Sequence, residues 1–253
     1  MGIIYYMQND TNTDQSPDSN QEVNEPQSDS GTETDNQNTS VITVFPKPII
    51  PCYFCNTSEY GLVRFLNAAT GYNPFQIYIN KQPAVDGLDN GDMSHYGRVS
   101  ANMQTVTVED ENGYVYIEKQ IEVLVGQAIT VAVINSDSGL DIMEIMDMYC
   151  NGGINAGCFR VCNLSITNQK VNVFLNGGVL TFMEVDYKEV TGFKYQKTGF
   201  YLVSVMNSNT QSENILLSSN IYIRGNASYT LYVFNRSNTR NAIRILIVED
   251  RKN

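Results

Sequence analysis

The chain has 253 residues, 27 of them acidic and 16 basic, with a formal charge of −11, one histidine and no tryptophan. Eight of the acids and none of the bases fall in residues 1–45, so the other 208 residues carry 19 acids against 16 bases. That nearly neutral remainder lacks the basic stripe that nucleic-acid binding needs, and a single histidine leaves His-centred triads and multi-His metal sites almost nothing to work with.

The first seven residues are apolar but too short for a signal-peptide core; they lack a basic lead and a small-residue cleavage site. No run approaches the roughly 18 apolar residues of a membrane span. These features predict neither classical secretion nor anchoring, and leave the tip as either a small docking handle or a frayed start. Residues 8–42 are Asp, Asn, Gln, Glu, Ser and Thr with scarcely an apolar side chain. Such a stretch cannot bury enough surface to offset its ordering entropy, so residues 1–45 read as a disordered acidic, polar head. Pro46, Pro48 and Pro51 then favour an extended connector over 46–58, which carries Cys52-Tyr53-Phe54-Cys55.

Beyond the connector the chain repeats itself. Gly61-Leu62-Val63-Arg64-Phe65-Leu66-Asn67 returns 96 positions later as Gly157-Cys158-Phe159-Arg160-Val161-Cys162-Asn163. Thr130-Val131-Ala132-Val133-Ile134-Asn135 returns as Thr230-Leu231-Tyr232-Val233-Phe234-Asn235, and the 140–147 run ending in Asp147 returns as 243–250 ending in Asp250. A fixed period of this size means two copies of one module, placed at 59–150 and 156–253. In the first copy, alternating runs predict strands at 61–67, 75–80, about 96–99, 102–109, 114–123, 128–134 and 140–147. In the second they predict strands at 157–164, 171–176, 179–185, 187–193, 199–207, 214–223, 228–235 and 242–249. Glu111-Asn112-Gly113 and Asn176-Gly177-Gly178 are hairpin signals, while Asn80-Lys81-Gln82-Pro83 and Asp86–Asp92 read as turns. Short strands with turns every 8–12 positions predict an all-β fold of two tandem sandwiches.

The Gly-x-x-Arg opening, the Pro48-Ile49-Ile50-Pro51-Cys52-Tyr53-Phe54-Cys55 connector, Arg64-Phe65-Leu66-Asn67, Cys158-Phe159-Arg160-Val161-Cys162-Asn163-Leu164 and Ile247-Val248-Glu249-Asp250-Arg251 resemble the bacterial domain-of-unknown-function family DUF4397. The resemblance covers about 48–253, and is closest to the Firmicutes form with a Pro-Cys-x-x-Cys connector. The head departs from it, being acidic and amide-rich where the family is often Gly/Pro-rich. It implies immunoglobulin-like sandwiches and an envelope context, and brings no catalytic residues.

The candidate sites are few. Five cysteines, an odd number, leave one over from any closed set of intrachain disulfides. Cys52, Cys55, Cys150 and Cys158 have the makings of a clip, either four thiolates on a structural zinc or a disulfide; Cys158 and Cys162 also fit as core filler, since Leu62 and Leu66 match them. On a strand, Cys158, Arg160 and Cys162 share one face and Phe159 and Val161 the other. Arg64 and Arg160, with Asn67 and Asn163, recur in both copies, as fold-keeping residues should; an anion contact is the other reading of the arginines.

The Asp86–Asp92 loop, expected to have no counterpart in the second copy, reads as a solvated acidic turn rather than a calcium loop. Glu109-Asp110-Glu111 and Glu249-Asp250-Arg251 read as strand-end charges, because neighbours on a strand point to opposite faces. Tyr114 and Tyr116 form either a one-sided aromatic platform for sugar or simply one strand face. No ligand-binding residues are otherwise assigned. The sequence predicts a non-enzymatic structural or interaction protein of the bacterial cell or spore surface, reached by a non-classical route. The alternatives are a glycan- or peptide-binding module and a cytoplasmic location. Expected partners are proteins or envelope components, with self-association among the options.

Overall fold

The computed structural model describes the backbone of residues 4–7 and residues 59–176, 179–208, 215–239 and 242–250. The strands are β1 (Ile4–Met7), then in the first module β2 (Tyr60–Asn67), β3 (Phe75–Ile79), β4 (Gln82–Leu88), β5 (Gly97–Ser100), β6 (Asn102–Glu109), β7 (Val115–Val123), β8 (Ala128–Ser136) and β9 (Gly139–Met146). The second module contains β10 (Ala156–Asn163), β11 (Lys170–Leu175), β12 (Val179–Asp186), β13 (Lys194–Lys197), β14 (Gly199–Asn207), β15 (Ile215–Ile223), β16 (Ser228–Asn235) and β17 (Ile243–Asp250). There is no helix among the described residues, and so none long and apolar enough to cross a membrane.

Each module stacks two sheets, as an all-β sandwich. The first pairs β4-β3-β6-β7 with β5-β2-β8-β9; the second pairs β12-β11-β14-β15 with β1-β17-β16-β10-β13. In both, the opening strand runs parallel to a late one, β2 beside β8 and β10 beside β16, which puts Arg64 level with Thr130 and Arg160 level with Thr230. Alternation divides the side chains as the repeat implies. Val63, Phe65, Val131 and Val133 enter the first module's core, while Phe159, Val161, Leu231 and Val233 enter the second.

The glycine that opens the repeated motif is explained by close approach. A Cβ on Gly61 would lie 2.6 Å from Val123 Cγ1 and 2.7 Å from the Leu124 carbonyl oxygen; on Gly157 it would lie 2.6 Å from the Arg224 carbonyl and 2.7 Å from Ile223 Cγ2. In each copy the strand passes under the end of the other sheet where no side chain fits.

The two modules also share a third core. Leu66, Ala68, Met93, Ala132, Ile134 and Ile145 pack against Cys162, Leu164, Tyr232, Phe234, Leu246 and Val248, all buried. Most of these lie on the far faces of β2, β8 and β9 and of β10, β16 and β17; Ala68 and Leu164 follow β2 and β10 directly, and Met93 sits at an isolated bridge to Leu66. Each module therefore has an apolar sheet on both sides, and the second apolar face is covered by the other module.

Several boundaries differ from the sequence reading. Gln82–Leu88 is a strand, although its Pro83, Asp86 and Gly87 suggest turns: it lies at a sheet edge, and register shifts at Phe75/Ile77 and Ile77/Tyr78 accommodate it. The strand expected at 187–193 is absent. A turn over Asp186–Glu189 replaces it, with Lys188 at φ +66°, followed by an isolated bridge at Val190 and then β13. That turn is also the counterpart that the Asp86–Asp92 loop was expected to lack. Asp89 N–H donates to Asp92 Oδ2 at 3.2 Å, and Asp186 N–H to Glu189 Oε2 at 2.8 Å. The acids of the first turn serve the turn itself. Gly177 and Gly178 of the second hairpin signal, the head beyond β1 and the connector lie outside the described residues.

Candidate functional site

The strongest concentration of charge lies between the modules, on the faces that form the third core. Arg64 and Arg160 emerge from the middle of β2 and β10 and are buried, as are Asp147, just beyond β9, and Asp250, at the end of β17. Arg64 Nη2 lies 2.8 Å from Asp250 Oδ1 and 3.2 Å from Asp147 Oδ1. Arg160 Nη2 lies 3.6 Å from Asp147 Oδ1 and 3.9 Å from Asp250 Oδ2.

Threonines on the parallel neighbours complete the pattern. Arg64 Nε donates to Thr130 Oγ1 at 2.7 Å, and that hydroxyl donates to Asp147 Oδ2 at 2.6 Å. Arg160 Nε donates to Thr230 Oγ1 at 2.9 Å, which donates to Asp250 Oδ2 at 2.6 Å. Two cations and two anions thus balance, one arginine and one aspartate from each copy.

The symmetry breaks at the aromatic caps. Tyr96 covers Arg64, 4.5 Å from guanidinium carbon to ring centre, and donates its hydroxyl to Asp147 Oδ2 at 2.7 Å. Phe193 covers Arg160 at 4.8 Å and has no hydroxyl to offer. Asp147 Oδ1 and Arg160 Nη2 are left as buried side-chain atoms without a hydrogen bond. Burial alone would lower the Arg64 pKa, but Asp147, with Tyr96, Tyr232 and Asp250, holds it above the ordinary arginine value. Burial raises the Asp250 carboxyl above its usual range despite Arg64. It also raises the hydroxyls of Tyr96 and Tyr232 and the thiol of Cys162. Every charged group here faces its counter-charge, so the arrangement suits a lock between modules rather than a reacting centre.

The rim of the same interface is polar. Asn90 Nδ2 donates to the carbonyls of Ala69 at 2.7 Å and of Asn235, across the interface, at 3.2 Å, while Arg244 donates to the Asn90 carbonyl. Gly91 leaves room for that arginine, since a Cβ there would sit 2.2 Å from Arg244 Nη1. On the related side, the Tyr187 hydroxyl donates to the Asn135 carbonyl, and Lys188 Nζ bonds Asp141 at 2.9 Å.

The residues singled out by the sequence fall into distinct places. Arg64 and Arg160 converge, with acids supplied from both modules. Asn67 and Asn163 are buried at strand ends. Each donates to an equivalent carbonyl, Leu88 or Val185, at 3.0 Å, and each accepts from the backbone two residues on. Cys150 and Cys158 are bonded to each other as a disulfide, with Cα atoms 5.9 Å apart, tying the segment after β9 to β10. Cys52 and Cys55 lie outside the described residues. Cys162 is free and buried in the third core, level with Leu66 of the first copy.

Asp250 does stand at a strand end, but it is buried there as a central member of the cluster. Its strand neighbour Glu249 does face outward, where it pairs with Arg224. The repeat carried the missing signal: Asp147/Asp250 and Thr130/Thr230 align in it as faithfully as the arginines. Tyr116 packs edge-on against Tyr72 and Phe75 and joins the first core, which leaves Tyr114 as the exposed member of that pair.

A family model described as a domain of unknown function, DUF4397, matches residues 61–173 and again 157–253. No curated protein matches the chain. Among solved structures, the chain is similar to a crystal structure from Bacteroides fragilis described as "a putative cell adhesion protein". The two are 10% identical, the match covers 76% of this chain and 98% of that one, and its TM-score of 0.19 carries no argument.

Proposed function

The chain belongs to the DUF4397 family, and we propose that it is a non-enzymatic structural or interaction protein of the bacterial cell or spore surface. The observation that carries this reading is the shared interface. The buried arginines and aspartates pair across it, Arg64 with Asp250 and Arg160 with Asp147, and join two sandwiches into one body, whereas enzymes keep titratable groups positioned towards substrate. The Cys150–Cys158 disulfide supports an oxidising location, because such bonds persist outside the reducing cytosol. Fractionating vegetative cells and spores tests the reading. The protein is expected in surface fractions with that disulfide intact, and a wholly cytosolic soluble pool overturns it.

A second reading, a glycan- or peptide-binding module, draws on one surface. Phe200, 80% exposed, stands beside its cross-strand partner Tyr222, ring centres 4.7 Å apart, with Leu202 next along the strand. The related face of the first module carries Met103, Thr105, Gln120 and Glu122. Aromatic groups that only one copy exposes are where a specific contact would form. Retention on a glycan array or on peptidoglycan, abolished in Phe200→Ala and Tyr222→Ala, supports this reading; retention unchanged in both variants excludes that face.

A further inference from the structure

The two modules treat the same sheet edge in opposite ways. β9 and β17 hold equivalent places, each hydrogen-bonded on one side to β8 or β16 with Ile145 matching Val248 and Glu144 matching Ile247. β9 is the last strand of its sheet among the described residues, and charge guards it. Glu144 is exposed and accepts from the Glu122 N–H at 3.3 Å. Lys119 Nζ donates to the Ile142 carbonyl at 2.9 Å and pairs with Asp141. Charged side chains on an edge strand discourage another strand from adding.

β17 has no such guard over Ile245-Leu246-Ile247-Val248, four apolar residues buried on both faces. An unguarded apolar edge of this kind is a template for pairing. Here the template is used: β1 lies antiparallel along it, with Ile4 opposite Val248, Tyr5 opposite Ile247, Tyr6 opposite Leu246 and Met7 opposite Ile245. Residues 8–59 separate this strand from β2. Fully extended, a chain of that length reaches roughly 170 Å, so chain connection does not confine β1 to its own module.

We propose that β17 is a strand-acceptor edge, and that Ile4–Met7 of a second copy of this chain takes the place of the chain's own β1, linking copies by strand exchange. Main-chain hydrogen bonds supply the affinity, as in other strand additions. Tethering favours the chain's own strand in dilute solution, and exchange competes once the local concentration approaches the millimolar order of a tethered segment. The proposal goes beyond the surface reading and does not depend on it.

The test uses the full chain with free thiols alkylated, which removes interchain disulfides as a cause of association. Light scattering is expected to show dimers or longer species that grow with concentration. A synthetic Gly2–Gln8 peptide in roughly tenfold excess should return them to monomer by occupying the acceptor edge. The Tyr5→Pro/Tyr6→Pro variant cannot donate a regular ladder; it should stay monomeric and bind the fluorescent peptide. A full chain that remains monomeric at millimolar concentration overturns the proposal. So do oligomers that survive the peptide, or that form equally in the proline variant. The peptide arm uses the unaltered chain, so the decision never rests on the folding of a variant.

Discussion

At the scale of single residues, the interface cluster is where substitutions should be felt most. Removing Arg64 leaves Asp147 and Asp250 buried with the more distant Arg160 as their counter-charge, so Arg64→Met should lower unfolding stability in urea by about 3–5 kcal/mol. The opposite change is available at Phe193. A hydroxyl there would supply the second module with what Tyr96 gives Asp147 in the first, and Phe193→Tyr should add about 0.5–1.5 kcal/mol, measured the same way. Acid should act on two carboxylates in opposite senses. Burial would raise Asp141, but hydrogen bonds from Lys119 and Lys188 bring it down to about 2. Its contribution is present above the unfolded carboxyl value and is lost as pH falls from about 4 towards 2. Because the group is partly exposed, the loss is under about 1 kcal/mol, and Asp141→Asn should flatten that limb of the stability–pH curve. Asp250, raised by burial, takes its proton more readily folded than unfolded, so its protonation does not subtract stability there.

At the scale of elements, alternation and repetition make most strands legible, Gly139–Met146 and its counterpart Ile243–Asp250 among them. Two features escaped. β4 was hidden because Pro and Gly normally mark turns, and only its edge position with local register shifts lets them lie in a strand. The turn at Asp186–Glu189 was hidden because Lys188 takes the left-handed conformation that glycine holds at Gly91, so the glycine cue is missing from the second copy. The motif glycines were visible, but their reason was not. Gly61→Ala or Gly157→Ala drives a methyl group into a carbonyl from the neighbouring sheet, and thermal melting should report a loss of about 1–3 kcal/mol for either. The disulfide closes a short segment, eight positions from Cys150 to Cys158, and the backbone of Cys150 is also held by Ser228. Reduction should therefore cost about 2–3 kcal/mol of stability, read as a lower melting temperature with reductant present.

At the scale of the whole molecule, sequence revealed two modules and left their relation unseen. Each strand shows its own two faces, but whether an outward apolar face meets a partner chain, a ligand or the other copy is a long-range fact that local pattern does not hold. The buried arginines were legible as a repeated pair; their acids lay at the far ends of other strands, one in each module. The third core has a consequence for dissection. A first module cut free would expose Leu66, Met93, Ala132, Ile134 and Ile145 around an Arg64 left with Asp147 as its one acid, and a second would expose Tyr232, Phe234, Leu246 and Val248 around Arg160. Contiguous apolar surface of that kind drives association. Fragments 59–150 and 151–253, produced separately, should aggregate or self-pair, and produced together they should co-elute as a one-to-one complex on gel filtration with reductant present, where the Cys150–Cys158 disulfide cannot join them. Arg64→Met in the first fragment should weaken that complex, because the Arg64–Asp250 pair joins one fragment to the other. Two soluble monomers that ignore each other would mean that the apolar faces and the charge cluster do not hold the modules together.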